Sequence, residues 1–221
     1  MSRTCGAFGA IFDWDGVIID SGKLHERSWH RLAQELGKKI APGSFIRGFG
    51  MKSARIIEEI HGWADDPDEV ESLTFRKEEL YREIVGQTEI AALPGVARWL
   101  QSLREADVPC AVASSTHRLN IEVILDRIGL TDAFRVIVSA EDVSQGKPHP
   151  EVFLKAAEKL LLAPTRCVVF EDAHVGIAAA KAANMKVIAV TTTHAAEQLS
   201  GADLVVSRLD ELTIERVVSI L

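Results

Sequence analysis

Short apolar runs recur along the chain, and most of them stop abruptly at polar residues. Ala7 to Phe12 form the first and end in Asp13-Trp14-Asp15-Gly16. Val108 to Ala113, Val136 to Val138, Cys167 to Phe170, Val187 to Val190 and Leu204 to Val206 follow, all rich in β-forming residues. Runs of this kind are the pattern of strands buried on both faces of a parallel sheet. Helical spacing separates most of them. Ile121, Ile124, Leu125 and Ile128 share one helical face, and Gly129 stands where that helix should end. The alternation predicts an α/β fold, a parallel sheet with helices on both faces. In such sheets ligands bind beyond the carboxyl ends of the strands, where Asp13, Ser114 and Asp172 are expected.

Between about Ser21 and Leu93 the alternation stops and only helical patterns remain. Leu24, Trp29, Leu32, Ala33 and Leu36 lie on one face, closed by Gly37. Asp20-Ser21-Gly22 and Leu93-Pro94-Gly95 carry turn and hinge signals at the two ends of this stretch. The expected organisation is a core of residues 1–20 and 93–221 with an all-helical cap, residues 21–92, inserted after the first strand. A cap in that place would sit over the active site as a lid.

Composition changes this picture little. At 221 residues, 47% hydrophobic and 26% charged, the chain is an ordinary globular protein with a sizeable core. A net charge of −7 without a clustered Lys/Arg run argues against nucleic-acid or anionic-membrane binding, so local positive charge must hold any anionic substrate. Cys5, Cys110 and Cys167 are odd in number and widely spaced, which fits a reducing, cytoplasmic setting. The N-terminal apolar run is too short and too charged for a signal peptide or a membrane span. A monomer or weak homo-oligomer is expected.

The strand ends carry the chemistry. Asp13 and Asp15 are two apart, but a turn at Gly16 lets both face one pocket. Such a pair can ligate a hard metal ion or accept a phosphoryl group, or can be two solvated acids at a turn. Ser114-Ser115-Thr116 precedes a helix, so hydroxyls and helix N-terminal amides point at one place, an anion site or a helix cap. In Gly146-Lys147-Pro148-His149-Pro150 the lysine is held next to a proline and can act as a point charge on phosphate or simply solvate the surface. Glu171-Asp172 ends another strand before the small-residue helix Ala173 to Ala183, completing a metal site or capping that helix. Together the four motifs supply in chain order a nucleophile, hydroxyls, a cation and metal-binding acids, the set phosphoryl transfer needs.

Through Phe12-Asp13-Trp14-Asp15-Gly16-Val17, Ser114, Gly146-Lys147-Pro148 and Glu171-Asp172 the chain resembles the haloacid dehalogenase superfamily over essentially its full length. The resemblance implies a Rossmann-like core with a helical cap. It makes Asp13 the nucleophile that forms an aspartyl phosphate and Asp15 the general acid and base. It places Mg²⁺ on Asp13, the backbone carbonyl of Asp15, and Asp172, with Glu171 a ligand or near neighbour. Ser114, the amide of Ser115, and Lys147 would bind the transferring phosphoryl group. An acid at position 15 points to phosphate esters, because superfamily members acting on haloacids or phosphonates lack one there.

Within the superfamily the chain is similar to β-phosphoglucomutase and related small-molecule phosphatases. Asp20-Ser21 followed by His25, and Arg76-Lys77 followed by Tyr81, match the mutase pattern. Two departures favour hydrolysis. In Gly48-Phe49-Gly50-Met51-Lys52-Ser53-Ala54-Arg55, Ser53 stands where the mutase has an arginine for the sugar's second phosphate. Arg118 stands where it has an asparagine. His25, Lys52, Arg55 and Lys77 are the expected substrate contacts of the cap, with Lys52 or Arg55 as stand-ins for the missing arginine. The expected activity is Mg²⁺-dependent hydrolysis of a small phosphorylated metabolite such as a sugar phosphate. A mutase is the alternative, and a non-catalytic binding protein a remote third.

Other signals are weak. The histidines of His25-Glu26-Arg27-Ser28-Trp29-His30 are five apart and diverge around a helix, which disfavours zinc, and Gly48-Phe49-Gly50 lacks the third glycine of a dinucleotide loop. Trp29, Trp63 and Trp99 read as helical packing residues. His61, His174 and His194 have no evident partner.

Overall fold

The computed structural model describes residues 8–221; Cys5 and the start of the first apolar run lie outside them. The strands are β1 (Gly9–Phe12), β2 (Cys110–Ala113), β3 (Val136–Val138), β4 (Cys167–Glu171), β5 (Lys186–Val190) and β6 (Leu204–Val206). They form one six-stranded sheet in the order β3-β2-β1-β4-β5-β6, with every pair parallel. This is a Rossmann-like α/β fold.

Side-chain alternation divides each strand between two apolar layers. Ala10 and Phe12 of β1 and Val168 and Phe170 of β4 face one cluster, while Ile11 and Val169 face the other. The first layer is covered by α5 (Val96–Glu105) and α6 (Arg118–Arg127), through Trp99, Leu103, Ile121 and Ile124. The second is covered by α7 (Glu151–Lys159) and α8 (His174–Ala182), where Ala179 and Ala180 allow α8 to lie close against the sheet. A final helix, α9 (Ile214–Val218), adds Val217 to the first layer.

Between β1 and α5 the chain is helical throughout: α1 (Gly22–Glu35), α2 (Ser44–Gly48), α3 (Ser53–Arg55), a π-helical turn (Ile56–His61) and α4 (Pro67–Gly86). This inserted segment has its own apolar cluster of Trp29, Leu32, Ile57, Trp63, Val70 and Leu80. The outgoing and returning chains meet where the Leu93 amide donates to the Ile18 carbonyl at 2.8 Å. Trp63 does pack in this cluster but lies in the loop after Gly62, whose φ of 59° ends the π-helical turn. None of the described helices is long and apolar enough to cross a membrane.

Candidate active site

β1 lies between β2 and β4, and Phe12 is in register with both Val112 and Phe170. Residues just beyond these three strand ends therefore converge at the point where the strand order reverses. Asp13, Asp172 and Glu171 meet there, buried, each offering an oxygen within 4.8 Å of the others. Lys147, 1% exposed, reaches in from the loop before α7 and pairs with Asp13 Oδ1 at 2.9 Å and Glu171 Oε1 at 2.7 Å. Glu171 Oε2 accepts from the amides of Asp172 and Ala173, both at 2.7 Å, which fixes the carboxylate. Asp172 Oδ2 accepts from the Thr193 hydroxyl.

Two glycines make the crowding possible. A Cβ on Gly16, whose φ is +78°, would lie 1.8 Å from Asp172 Oδ2, and a Cβ on Gly176 would lie 1.6 Å from Glu171 Oε1.

Three carboxyls against one ammonium leave excess negative charge in a water-poor site. Burial pushes the Asp13 carboxyl up to about 8, Lys147 opposes the rise, and the charges of Glu171 and Asp15 add to it. Asp172 is raised well above its ordinary value, first by burial and then by Glu171 and Asp13. Burial alone would discharge Lys147, but Asp13 and Glu171 hold its ammonium well above the usual range. Asp172 Oδ1 is buried with no hydrogen-bond partner. Hard oxygen donors, surplus negative charge and an unpartnered carboxylate oxygen fit a divalent cation of the magnesium type.

Asp15 is treated differently. It accepts hydrogen bonds from the hydroxyls of Ser21 and Thr116 and contacts His25 Nε2 at 3.2 Å. Lys77 Nζ lies 2.8 Å from His25 Nδ1. An ammonium only donates, so Nδ1 faces Lys77 as an acceptor and the Nε2–H faces Asp15. Burial works to raise the Asp15 pKa, yet His25 and the two hydroxyls outweigh it and hold the carboxyl well below its ordinary value. Two neighbouring carboxylates thus differ sharply in proton affinity.

The polar chain continues through Glu78, whose Oε1 accepts from Lys77 at 3.0 Å and from the Ser53 hydroxyl at 2.6 Å. Its Oε2 accepts from Asn120 Nδ2 on α6 at 2.6 Å, and Asn120 Oδ1 accepts from Arg82 at 2.9 Å. Helices of the inserted segment are thereby tied to the sheet-packing helix and to Asp15. Burial raises the Glu78 pKa, but Lys77 and its other donors bring it down to about 2. A depressed folded-state pKa stabilises above the ordinary value of 4.5, and that contribution is lost as the pH falls through about 2. Glu78→Gln should therefore cost roughly 2–3 kcal/mol in urea unfolding at pH 7, with the difference shrinking steadily below pH 4.5.

Other predicted residues are placed as follows. Ser114 is buried and its Oγ accepts from the Thr116 amide at 3.1 Å. The Ser115 hydroxyl donates to the Gly50 carbonyl at 2.8 Å, joining the core loop to the inserted segment. A cavity of about 50 Å³ opens above the acids, lined by Asp13, Asp15, Ser114, Ser115, His25 and Lys77 among others. Lys52 and Arg55 are not brought into it. Lys52 Nζ donates to the Val143 carbonyl at 2.6 Å, and Arg55 forks onto Glu59 at 2.7 Å. Arg118 is likewise held by Asp142 and the Ile137 carbonyl.

Sequence reasoning missed Glu78, Asn120 and Thr193. Asn120 alone had a signal, a polar residue beside Ile121 and Ile124 on the buried side of α6. The unassigned histidines do have neighbours: His61 stacks on Trp63 at 4.2 Å, and His174 and His194 lie 4.5 Å apart.

The profile of the haloacid dehalogenase-like hydrolases matches residues 10–190, and the chain belongs to that family. Its relatives include both phosphatases and a phosphomutase, and it falls in the β-phosphoglucomutase-like group. It is 40% identical over 212 residues to the chloroplastic 5-amino-6-(5-phospho-D-ribitylamino)uracil phosphatase of Arabidopsis thaliana, covering 95% of this chain and 57% of that protein's length. It is 33% identical to the β-phosphoglucomutase of Bacillus subtilis over 93% of this chain and 91% of that one. The crystal structure of β-phosphoglucomutase from Clostridium difficile superposes with a TM-score of 0.85 at 27% identity, covering 96% of each chain.

Proposed function

We propose that this chain is a Mg²⁺-dependent phosphatase that hydrolyses a small phosphorylated sugar or polyol through an aspartyl phosphate on Asp13. The observation that carries this reading is the juxtaposition of Asp13, Lys147, Glu171 and Asp172 at one strand-end cleft beneath a cavity lined by the inserted helices. Asp13, Asp172, Glu171 and the Asp15 carbonyl would hold Mg²⁺, which supplies charge compensation for the phosphate and for the attacking carboxylate. Its charge would offset those of Glu171 and Asp15, which add to the effect of burial on Asp13, and favour the ionised carboxylate as a nucleophile. Lys147, Ser114 and the Ser115 amide orient the phosphoryl oxygens.

An Asp13 oxygen attacks phosphorus, the bond to the leaving oxygen breaks, and Asp15 gives that oxygen its proton. Asp15 then takes a proton from water, whose oxygen attacks phosphorus and frees Asp13 and inorganic phosphate. The low proton affinity of Asp15 keeps it ionised and ready for the second step, the proton it takes from water then serves the leaving oxygen of the next turnover, and the His25 Nε2–H, fixed by Lys77, orients the carboxylate by hydrogen bonding. The inserted helical segment acts as a cap that excludes bulk water, tied to the core through Ser115–Gly50 and Glu78–Asn120.

Hydrolysis is favoured over isomerisation because the cationic side chains that a second phosphate would need are engaged elsewhere. Lys52 and Arg55 are held outside the cavity, and Lys77 is held by Glu78 and His25. The test is phosphate release from a panel of sugar and polyol phosphates with and without Mg²⁺, with β-glucose 1-phosphate plus glucose 1,6-bisphosphate in parallel. Release should require Mg²⁺, and formation of glucose 6-phosphate without free phosphate would identify a mutase.

A further inference from the structure

Residues 50–55 of the inserted segment lie against three of the core loops that carry the site. The Gly50 carbonyl accepts from Ser115, and a Cβ on Gly50, whose φ is +79°, would lie 2.9 Å from Val175 Cγ2 in the first turn of α8, close to Asp172. Lys52, half-buried, crosses to the third loop, residues 143–147, which ends in Lys147. Its Nζ donates to the Val143 carbonyl at 2.6 Å. Its stem runs over Gly146, where a Cβ would stand 3.0 Å from Lys52 Cγ, an approach that a side chain at 146 would crowd. Arg55, forked onto Glu59, donates through Nη1 to the carbonyl of Lys147 itself at 3.4 Å.

The core grips the middle of this loop, where Glu151 accepts from the Ser144 and Gln145 amides at 3.1 and 2.8 Å. The inserted segment grips its two ends, at Val143 and Lys147. Between the core's grip and Lys147 stands Gly146, whose backbone has the widest freedom of any residue. A swing of the chain there would carry the Lys147 ammonium away from Asp13, which it meets at 2.9 Å. A charged donor on a loop carbonyl opposes that swing more strongly than a neutral one.

We infer that Lys52 is a positioning residue: its bond to the Val143 carbonyl holds the 143–147 loop so that the Lys147 ammonium stands against Asp13 and the phosphoryl group. This deepens the phosphatase reading and rests on it for any effect on turnover. The test is a double-mutant cycle in phosphate binding, because a residue that acts through Lys147 loses its effect when that ammonium is gone. Calorimetric titration with inorganic phosphate and Mg²⁺ compares the parent, Lys52→Met, Lys147→Ala and the double variant. Lys52→Met keeps the stem over Gly146 and loses the donor. It should weaken phosphate about tenfold in the parent background, the worth of one charge-assisted hydrogen bond, and less than about twofold in the Lys147→Ala background. Lys52→Arg should recover most of the affinity. Equal losses in both backgrounds, or no loss in either, would overturn the inference.

Hydrogen exchange of the 144–147 amides in the ligand-free protein reads the loop directly, without phosphate or turnover. Lys52→Met should speed it about tenfold while exchange in the sheet is unchanged. If the parent binds phosphate and the cycle holds but no phosphomonoester is hydrolysed, the phosphatase reading falls and the positioning role stands. If the parent binds no phosphate, the phosphatase reading falls and exchange decides alone: faster loop exchange in Lys52→Met would uphold the positioning role, and unchanged exchange would overturn it.

Discussion

Asp13→Asn is expected to lower turnover of any phosphomonoester by roughly 10⁴-fold or more, because the amide cannot form the acyl phosphate on which the proposed mechanism depends. The fold should survive, and the metal-free variant should be more stable than the parent. Asp13 is buried beside two other carboxyls, and burial with those charges holds its pKa at about 8. A raised carboxyl pKa means the folded chain binds more protons than the unfolded one between the ordinary value of 3.8 and about 8, so stability falls as pH rises through that window. Replacing the carboxyl with an uncharged isostere removes this dependence. Thermal unfolding in the presence of EDTA should show the variant gaining most over the parent near pH 9 and little near pH 4. Retained turnover would refute the nucleophile, and an unchanged pH profile of Tm would refute the electrostatic account of the cluster.

Asp15→Asn should cost about 10²–10⁴-fold in kcat, the usual worth of a positioned acid–base group. The two halves of its role can be separated by the leaving group. An ester that departs without protonation, such as p-nitrophenyl phosphate, should still phosphorylate Asp13, so the variant should release about one equivalent of p-nitrophenol per enzyme and then stall, because no base activates water. A sugar phosphate, whose alkoxide needs the proton, should give no burst. Full steady-state turnover of both esters would remove Asp15 from the mechanism. The neighbours that keep Asp15 ionised, His25, Ser21 and Thr116, come from the inserted helices, the hinge and the second strand end. The base is therefore assembled only when all three are together, which links its readiness to the position of the helical segment.

Much of this was legible in the chain itself. Six apolar runs bounded by polar residues specified the six strands to within two residues wherever the structure describes them, because a strand buried on both faces has no polar position to blur its ends. The acids at 13, 15, 171 and 172, the hydroxyls at 114–116 and Lys147 stood out because each directly follows such a run or lies in a rigid turn, where parallel-sheet topology gathers ligands. The all-helical stretch after the first strand was visible as the loss of alternation.

What only the tertiary structure decided is which side chains are free to act. The resemblance offered Lys52 or Arg55 as a stand-in for the mutase's missing phosphate-binding arginine, yet a carbonyl 91 positions away claims one and Glu59 the other. Glu78 gave no signal in the sequence, yet a core asparagine and Lys77 make it the buried link between helical segment and sheet. Lys147 could have been a surface lysine until Asp13 and Glu171 enclosed it. The physical reason is common to all three. Periodicity reports which face of an element is buried, a local property of the chain, whereas the partner of a charge depends on long-range packing that brings distant residues within hydrogen-bond reach.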